Sequence, residues 1–230
     1  MAQSLLFFIY FCTYFVVISS WPVHCGSCSG HEIILRMTHR CILLTFFFLI
    51  ETSLWAQHLN WSNHKAEEPV NVVDLTSSVN YGFSDVDSLR QPIDVIVLHS
   101  SYCVGQDTFS LQGVMRQYQR YGVSPHYIVD RNGIIYRTVP EEYVAYHAGI
   151  SQLPGTERTG MNYCSIGIEI INTPSQPPTD MQYRSLALLV KDIRRRYEIG
   201  YIVGHADVAP GRKTDPWAFD WSRFRQMLEE

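Results

Sequence analysis

The sequence predicts an α/β domain in which helices pack against a single mixed central β-sheet. A β-branched run at residues 93–98, a second apolar run at 165–171 and a helical apolar pattern at 179–197 lead to this prediction. Strand-like and helix-like segments interleave along the chain, and that order is typical of layered α/β domains.

The segment 93–98 is predicted to be a buried central strand. Its residues, IDVIVL, are too continuously apolar for a half-exposed strand, and the strand ends at His99. A helix is predicted from about 108 to 121, where apolar residues recur at helical spacing. Asp107 can cap its start and Gly122 can end it.

A β-hairpin is predicted to follow, with strands at 126–130 and 134–137. The pair Asn132-Gly133 between them can adopt the positive φ angles that a tight hairpin turn needs. The next strand lies at 165–171, and a proline-rich loop at 173–178 precedes a helix from about 179 to 197. A short strand at 201–203 leads to His205, and a closing helix is predicted to begin near Asp220.

Composition excludes several classes of protein. The chain has 230 residues, of which 46% are hydrophobic and 17% are charged, and its formal net charge is −4. The apolar content is too high for a disordered protein. With only three lysines and a net negative charge, the chain lacks the clustered positive charge of a nucleic-acid-binding surface, so no nucleic-acid partner is expected.

Residues 1–56 are predicted to be an N-terminal targeting region. Apolar runs at 5–18 and 41–50 are both shorter than the ~20 residues that a membrane-spanning helix needs. The second run follows the basic segment 37–40 and precedes the small residue Ala56, so residues 37–56 are predicted to be a signal peptide. We therefore expect an exported protein, periplasmic or extracellular, with no stable membrane span after processing, and we hypothesise that translation starts at Met37.

The rest of the chain divides into a polar N-terminal arm at 57–90 and a catalytic domain at 91–230. A cluster with zinc-like spacing, His24-Cys25-x-x-Cys28-x-x-His31, lies between the two targeting-type runs and is interpreted as chance. Cys103 and Cys164 remain in the exported part, where they could form a disulfide or stay free. Cys103 is also an alternative nucleophile, with a histidine as its base.

Two histidines stand just after predicted strands. His99 follows the buried strand, His205 follows the last one, and Asp215 comes ten residues later. Strand ends place side chains at a fixed edge that is open to ligands. Two imidazoles and one carboxylate are sufficient for a catalytic zinc, although a histidine at a strand end is more often an ordinary loop residue.

Six motifs that occur in a fixed order favour the zinc site over ordinary loop histidines. Together they resemble the zinc-dependent N-acetylmuramoyl-L-alanine amidases, a family that also includes bacteriophage amidases and the peptidoglycan recognition proteins. The resemblance runs from about residue 93 to residue 224. The motifs are VLHS at 97–100, VSPHYI at 123–128, NGIIY at 132–136, AYHAG at 145–149, SIGIE at 165–169, and VGH at 203–205 followed by KTDP at 213–216.

The resemblance implies a mixed sheet flanked by helices and a zinc cofactor bound by His99, His205 and Asp215. It also implies that Glu169 and Lys213 assist the chemistry. Trp217 stands where many relatives have glycine, which changes the rim of the cleft.

Physical chemistry gives the same residues roles of their own. Zinc lowers the pKa of its bound water to about 7. Glu169 can then accept a proton and pass it to the departing amine. Lys213 can stabilise negative charge on the carbonyl oxygen. The alternatives are a structural ion pair for Glu169 and a solvated loop position for Lys213.

Residues near these five complete the sequence-based assignment. His126 and His147 are candidate substrate-binding residues that could instead simply pack. Asp207 is interpreted as a loop acid or a partner of a ligand, and Arg194 to Arg196 as a solvated helix end.

The sequence therefore predicts a monomeric hydrolase that cleaves the amide between N-acetylmuramic acid and L-alanine in peptidoglycan or muropeptides. Two alternatives remain open at this point. One is a peptidoglycan-binding module without catalysis, and the other is a recycling amidase that acts on anhydro-muropeptides. All three matching metal positions carry competent ligands, which favours an enzyme.

Overall fold

The structure is a computed structural model that describes residues 70–105 and 107–230. The predicted signal peptide, the cluster from His24 to His31 and residues 57–69 of the predicted arm lie outside the described residues.

A six-stranded mixed sheet forms the centre of the described part of the chain, as predicted. Its spatial order is β1-β5-β4-β7-β3-β8; β4 and β5 pair antiparallel and every other neighbouring pair is parallel. A second sheet pairs β2 with β6. The strands are β1 (Val72–Asp74), β2 (Phe83–Ser84), β3 (Val95–Ser101), β4 (Tyr127–Val129), β5 (Ile135–Arg137), β6 (Val144–Ala145), β7 (Ser165–Ile171) and β8 (Tyr201–Gly204).

Four α-helices accompany the sheet in the described residues. They are α1 (Leu111–Tyr121), α2 (Asp180–Arg196), α3 (His205–Val208) and α4 (Trp221–Glu229). None of the helices in this part of the chain has the length and apolar character needed to cross a membrane.

One face of the sheet carries the main hydrophobic core. Ile96 and Leu98 of β3 and the isoleucines of β7 at 166, 168 and 170 are almost fully buried there. They pack with the inner stripe of α2, including Leu186 and Ile193, and with α4. Alternate residues of a strand point to opposite faces, so the intervening residues of β3 and β7 belong to the other side.

That other side of the sheet holds two smaller apolar clusters. The first contains Val95 and Val97 of β3 with Leu153 and Met161, and the second contains Val114 and Tyr118 of α1 with Ile128 and Ile171. His99 and Glu169 follow these residues along β3 and β7. The sheet therefore presents polar side chains on a face whose other positions are largely apolar.

Several local predictions are confirmed, and others need correction. Asp220 caps α4 as predicted, through a bond from the Arg223 N–H. Helix α1 begins at Leu111 rather than near 108, because Ser110 and not Asp107 accepts the first-turn N–H of Gly113.

The hairpin turn also differs from the prediction. Gly133 has a positive φ of 78°, and Asn132 is not among the residues with positive φ. The carboxylate of Asp130 instead accepts the N–H groups of Asn132 and Ile134, so a side chain stabilises the turn.

Two segments make contacts with distant parts of the chain that the sequence did not predict. Within the predicted arm, Val72–Asp74 pairs with β5 at the edge of the sheet. At the end of α2, Arg196 forms an ion pair with the buried carboxylate of Glu141. The Glu141 carboxylate also accepts the Tyr127 hydroxyl at 2.7 Å. Arg196 is exposed at the helix end, as predicted, and the sequence did not predict its ion pair with Glu141.

Cys103 and Cys164 are free thiols that belong to different apolar clusters. The disulfide alternative is therefore not formed here. Cys103 lies against α1, where an added side chain at Gly113 would meet its sulfur at 2.3 Å.

A capping box begins α2. The Thr179 hydroxyl oxygen accepts the Gln182 N–H at 3.1 Å, and the Gln182 side chain accepts the Thr179 N–H at 3.0 Å. The amide group of Gln182 also donates to the carbonyls of Val129 and Ile171. The cap thus fixes the start of α2 on the ends of β4 and β7.

We expect Thr179→Ala to lower the free energy of unfolding by about 1 kcal/mol, because it removes the side-chain acceptor of the N-cap. Thr179→Ser keeps that acceptor and is the matched control. Urea unfolding followed by circular dichroism measures both variants. Equal destabilisation by alanine and serine would contradict a capping role.

Candidate metal centre

The candidate site lies where three parallel strands end at the same edge of the sheet. His99 is near the end of β3, and Glu169 is its direct neighbour in β7. His205 immediately follows β8 as the first residue of α3. Side chains that share a register position in a parallel pair point to the same face, so His99 and Glu169 lie side by side, and β8 brings His205 to the same edge.

Three ligand atoms converge at this edge. His99 Nδ1 lies 2.9 Å from His205 Nδ1 and 3.5 Å from Asp215 Oδ2, and His205 Nδ1 lies 3.2 Å from Asp215 Oδ2. All three residues are buried. The three residues each offer one ligand atom, and these atoms all lie within 4.8 Å of one another, as a metal site requires.

The geometry and the donor set fit zinc. Ligand atoms held ~2.0–2.1 Å from a tetrahedral zinc lie ~3.3 Å from one another, close to the three distances observed. Two imidazoles and one carboxylate form a three-residue set of the kind found in catalytic zinc sites, where the fourth position stays available.

The charge states of the ligands also suit a cation. Burial lowers the pKa of His99 to about 4, so this imidazole is neutral at pH 7 and can bind a metal. Burial alone would raise the pKa of Asp215, but the adjacent imidazoles of His205 and His99 outweigh it and hold the pKa below its usual range. Asp215 is therefore ionised.

Asp215 is fixed by main-chain groups of two elements, β3 and α3. Its Oδ2 accepts the Ser100 N–H at 3.3 Å, and its carbonyl accepts the Ala206 N–H at 2.7 Å. Two residues later, the Trp217 N–H donates to the Ser100 hydroxyl, and the Trp217 carbonyl accepts the side-chain amide of Asn172. The loop that carries the third ligand is thereby attached to both central strands.

Glu169 lies beside the ligands in a nearly water-free position. The residue is 9% exposed, and its buried Oε2 has no hydrogen-bond partner. Burial raises its pKa to about 8, and the charge of Asp215 adds to the effect. The hydroxyls of Ser101 and Tyr118 and the ammonium of Lys213 oppose this rise.

Two hydroxyl groups next to Glu169 were not anticipated from the sequence. Tyr118 is buried, and its hydroxyl donates to Ser101 Oγ at 2.6 Å. Burial raises the pKa of Tyr118 well above its usual value, so its hydroxyl remains a donor. The helical periodicity of residues 108–121 indicates burial of Tyr118 but not the contacts of its hydroxyl group.

Lys213 and Asp207 are both exposed at this edge. The Lys213 N–H donates to the Ala209 carbonyl, which fixes its main chain two residues before Asp215. Asp207 Oδ2 accepts the Gly204 N–H at 2.7 Å and thus caps the short helix that begins with His205. Asp207 is a partner of the ligand segment, one of the two roles considered for it.

His126 is fully buried, and both of its ring nitrogens face main-chain groups. Its Nδ1 accepts the Gly167 N–H at 3.0 Å, and its Nε2 lies 3.2 Å from the Tyr143 carbonyl. Burial lowers the pKa of His126 to about 3. This geometry favours packing over direct contact with a ligand.

His147 lies directly behind a candidate ligand. Its Nδ1 is 2.9 Å from His99 Nε2, and its Nε2 is 3.2 Å from Ser165 Oγ. Desolvation lowers its pKa well below the usual value, although part of the ring remains exposed. The only signal for this residue in the sequence is the triplet His147-Ala148-Gly149.

The fold and the site together define an α/β domain with a candidate two-histidine, one-aspartate metal centre. The family model for N-acetylmuramoyl-L-alanine amidases matches residues 89–218. The chain belongs to this family, and the resemblance seen in its motifs is confirmed.

Individual relatives agree with this membership. The 1,6-anhydro-N-acetylmuramyl-L-alanine amidase AmpD of Enterobacter cloacae is 45% identical over 104 residues, which cover 44% of this chain and 54% of that protein. The chain thus spans about half the length of this curated relative.

Two solved structures share the fold. The crystal structure of a selenomethionine AmpD derivative is 28% identical, with a TM-score of 0.56, and the match covers 70% of this chain and 97% of that one. The amidase AmiD from E. coli, in complex with the substrate anhydro-N-acetylmuramic acid-L-Ala-D-γ-Glu-L-Lys, is 34% identical with a TM-score of 0.52. That match covers 60% of this chain and 58% of AmiD.

The expectation of an exported, periplasmic or extracellular protein is wrong. Relatives of this chain include AmpD proteins, which are cytoplasmic muropeptide-recycling amidases, and this conflicts with export. The expectation depended on an apolar run after a short basic segment, a pattern of composition that carries no information about the folded domain.

Replacing Glu169 with glutamine should stabilise the metal-free protein at high pH. The folded state holds the Glu169 pKa at about 8, whereas the unfolded chain ionises near the ordinary value of 4.5. The stability associated with the protonated carboxyl is therefore complete below pH 4.5 and is lost as the pH rises to about 8. Glutamine cannot ionise and avoids this loss.

Urea unfolding of both proteins across this range, in the presence of a chelator, measures the difference. We expect Glu169→Gln to be more stable at pH 8 by on the order of 2–4 kcal/mol, with the difference shrinking toward pH 5. A difference that stays constant with pH would contradict the raised pKa. Contributions from the buried histidines are common to both proteins and cancel.

Proposed function

We propose that this chain is a zinc-dependent amidase that hydrolyses the bond between N-acetylmuramic acid and L-alanine in muropeptides, and that residues 91–230 form its catalytic domain. The convergence of His99 Nδ1, His205 Nδ1 and Asp215 Oδ2 within 4.8 Å carries the proposal. Family membership supplies the reaction class.

His99, His205 and Asp215 are the residues that would hold the metal. When bound, zinc supplies a Lewis acid for the scissile carbonyl and makes water a nucleophile near neutral pH. The complete ligand set favours an enzyme over a binding module that has lost catalysis.

Glu169 acts as general base and then as general acid. Its unpartnered Oε2 accepts a proton from the attacking water and delivers it to the amide nitrogen of L-alanine, which leaves as an amine. A nearby cation lowers the pKa of a carboxyl group, so metal binding brings the value of about 8 closer to neutrality. The carboxylate is then ionised when it must accept the proton.

Lys213 contributes positive charge at the open side of the site. Its ammonium acts electrostatically on both His99 and Glu169, which supports this role. There it stabilises the negative charge that develops on the carbonyl oxygen during attack. An exposed flexible lysine can make this contact without blocking entry of the substrate.

The substrate class we favour is the 1,6-anhydro muropeptide. The relatives named AmpD are 1,6-anhydro-N-acetylmuramyl-L-alanine amidases, and the related AmiD was solved with an anhydro-muramyl peptide. This choice corresponds to the recycling alternative left open by the sequence.

Removing the metal should abolish release of stem peptide from muropeptides. We expect a strong chelator to stop the reaction and stoichiometric zinc to restore it, with mass spectrometry of the products as the measurement. Activity that survives chelation would exclude the metal mechanism.

Glu169→Gln should retain zinc but lose about 10²–10⁴-fold in kcat, since it cannot transfer the proton. A glutamine variant with the full rate would remove Glu169 from that role.

The sugar preference is tested with two substrates that share one stem peptide. One carries 1,6-anhydro-N-acetylmuramic acid, and the other carries the hydrated reducing sugar. We expect a higher kcat/KM for the anhydro form, because the named relatives act on it. Equal values, or a preference for the hydrated sugar, would reject the recycling substrate while leaving the amidase assignment intact.

A further inference from the structure

His147 stands between a candidate metal ligand and the sheet. The rings of His99 and His147 are nearly perpendicular, at 84°, with centroids 5.0 Å apart. His99 Nε2, which faces away from the candidate metal position, is the atom that contacts His147 Nδ1 at 2.9 Å. The other face of His147 is supported by Ser165.

His99, His147, Ser165 and the Met161 carbonyl form a series of hydrogen bonds. The direction of each bond follows from the Met161 carbonyl at the end of the series. The Met161 carbonyl can only accept, so the Ser165 hydroxyl donates its single hydrogen to it, at 2.5 Å. Ser165 Oγ must then accept from His147 Nε2–H, at 3.2 Å. A neutral imidazole carries one N–H and one acceptor nitrogen, so His147 Nδ1 is the acceptor.

The same logic fixes the tautomer of the ligand. His147 Nδ1 accepts from His99 Nε2–H, which leaves the lone pair of His99 on Nδ1. That atom is the one directed at His205 and Asp215. The series of hydrogen bonds from His99 through His147 and Ser165 to the accepting Met161 carbonyl therefore selects the tautomer of His99 that can bind a cation.

The neighbouring residue performs the same task for the second histidine. His205 Nε2 lies 3.2 Å from the Ala148 carbonyl, an acceptor, so the His205 lone pair is also on Nδ1. Asn162 Oδ1 accepts the N–H groups of both His147 and Ala148, at 3.1 and 2.8 Å. One short segment, fixed by one asparagine, orients both imidazole ligands.

Gly167 provides the space that this arrangement needs. A Cβ atom added at Gly167 would lie 2.3 Å from Cγ of His147. Real carbon atoms do not approach so closely, so any other residue at 167 would displace the ring. The β7 strand thus accommodates His147 as well as carrying Glu169.

We infer that His147 is a positioning residue that fixes the metal-binding tautomer of His99, with Ser165 as its support. The inference rests on the proposed function, because it assumes that His99 binds the metal. It replaces the sequence-based expectation that His147 contacts the substrate. Groups that orient a metal-bound histidine through its second nitrogen raise metal affinity.

The first test measures zinc affinity by competition with a chromogenic chelator. His147→Leu removes the acceptor, and we expect about 10–100-fold weaker zinc binding. His147→Asn keeps an acceptor oxygen near the position of Nδ1, and it should recover most of the loss. Ser165→Ala leaves the ring in place and removes only its support, so its zinc affinity should lie between those of the wild type and the leucine variant.

The second test observes the tautomer directly in the metal-free protein. Heteronuclear NMR of labelled histidines should show His99 protonated on Nε2 in the wild type and in His147→Asn, and a mixture of tautomers in His147→Leu. Thermal unfolding of the metal-free variants identifies any that fail to fold. Ser165→Ala and His147→Asn then carry the comparison if the leucine variant is unfolded.

The outcomes separate the two levels of the proposal. A wild-type protein that binds no zinc would overturn the proposed function itself. A wild type that binds zinc, together with His147→Leu and Ser165→Ala variants of equal affinity and unchanged tautomer, would overturn only the positioning role. Unchanged zinc affinity with a raised KM in His147→Leu would also overturn it and would return His147 to the substrate-binding group.

Discussion

The parallel pairing of β3 with β7 determines the rest of the site. Because His99 and Glu169 occupy the same register position, a ligand and the candidate base are adjacent whatever the loops do. Strand β8 pairs with the other side of β3 and delivers His205 at the same edge. A shift of one residue in either pairing would turn a site residue into the opposite, apolar core.

Burial gives these polar groups their chemical properties. Apolar clusters flank the site on its own face of the sheet, so little water reaches His99 or Glu169. Burial lowers the pKa of His99 and keeps its imidazole neutral, and burial raises the pKa of Glu169. Asp215 remains charged because two imidazoles lie next to its carboxylate. Three lone-pair-bearing atoms this close together are stabilised by a cation, which explains why the ligand set and the low dielectric occur together.

Local sequence patterns were sufficient for the elements that depend on local physics. The buried strand that leads to His99 and the helix after Thr179 follow from hydrophobic patterning, and both elements are confirmed, although the strand continues through His99 to Ser101. Histidines at strand ends indicated the site, and the motif order identified the family. Contacts between distant segments could not be predicted: no periodicity places His147 behind His99, Tyr118 beside Ser101, or Arg196 against Glu141. Residue type alone likewise does not distinguish Ser110 from Asp107 as the cap, since both serine and aspartate are favoured at that position.

The two faces of the sheet divide stability from chemistry. The face covered by α2 and α4 contains the larger apolar core, whereas the opposite face carries the ligands and the base. Substitutions on the face that carries the ligands can therefore leave the larger apolar core on the opposite face unchanged. Such an architecture is well suited to diversification, because residues at the site can vary while the same scaffold is inherited.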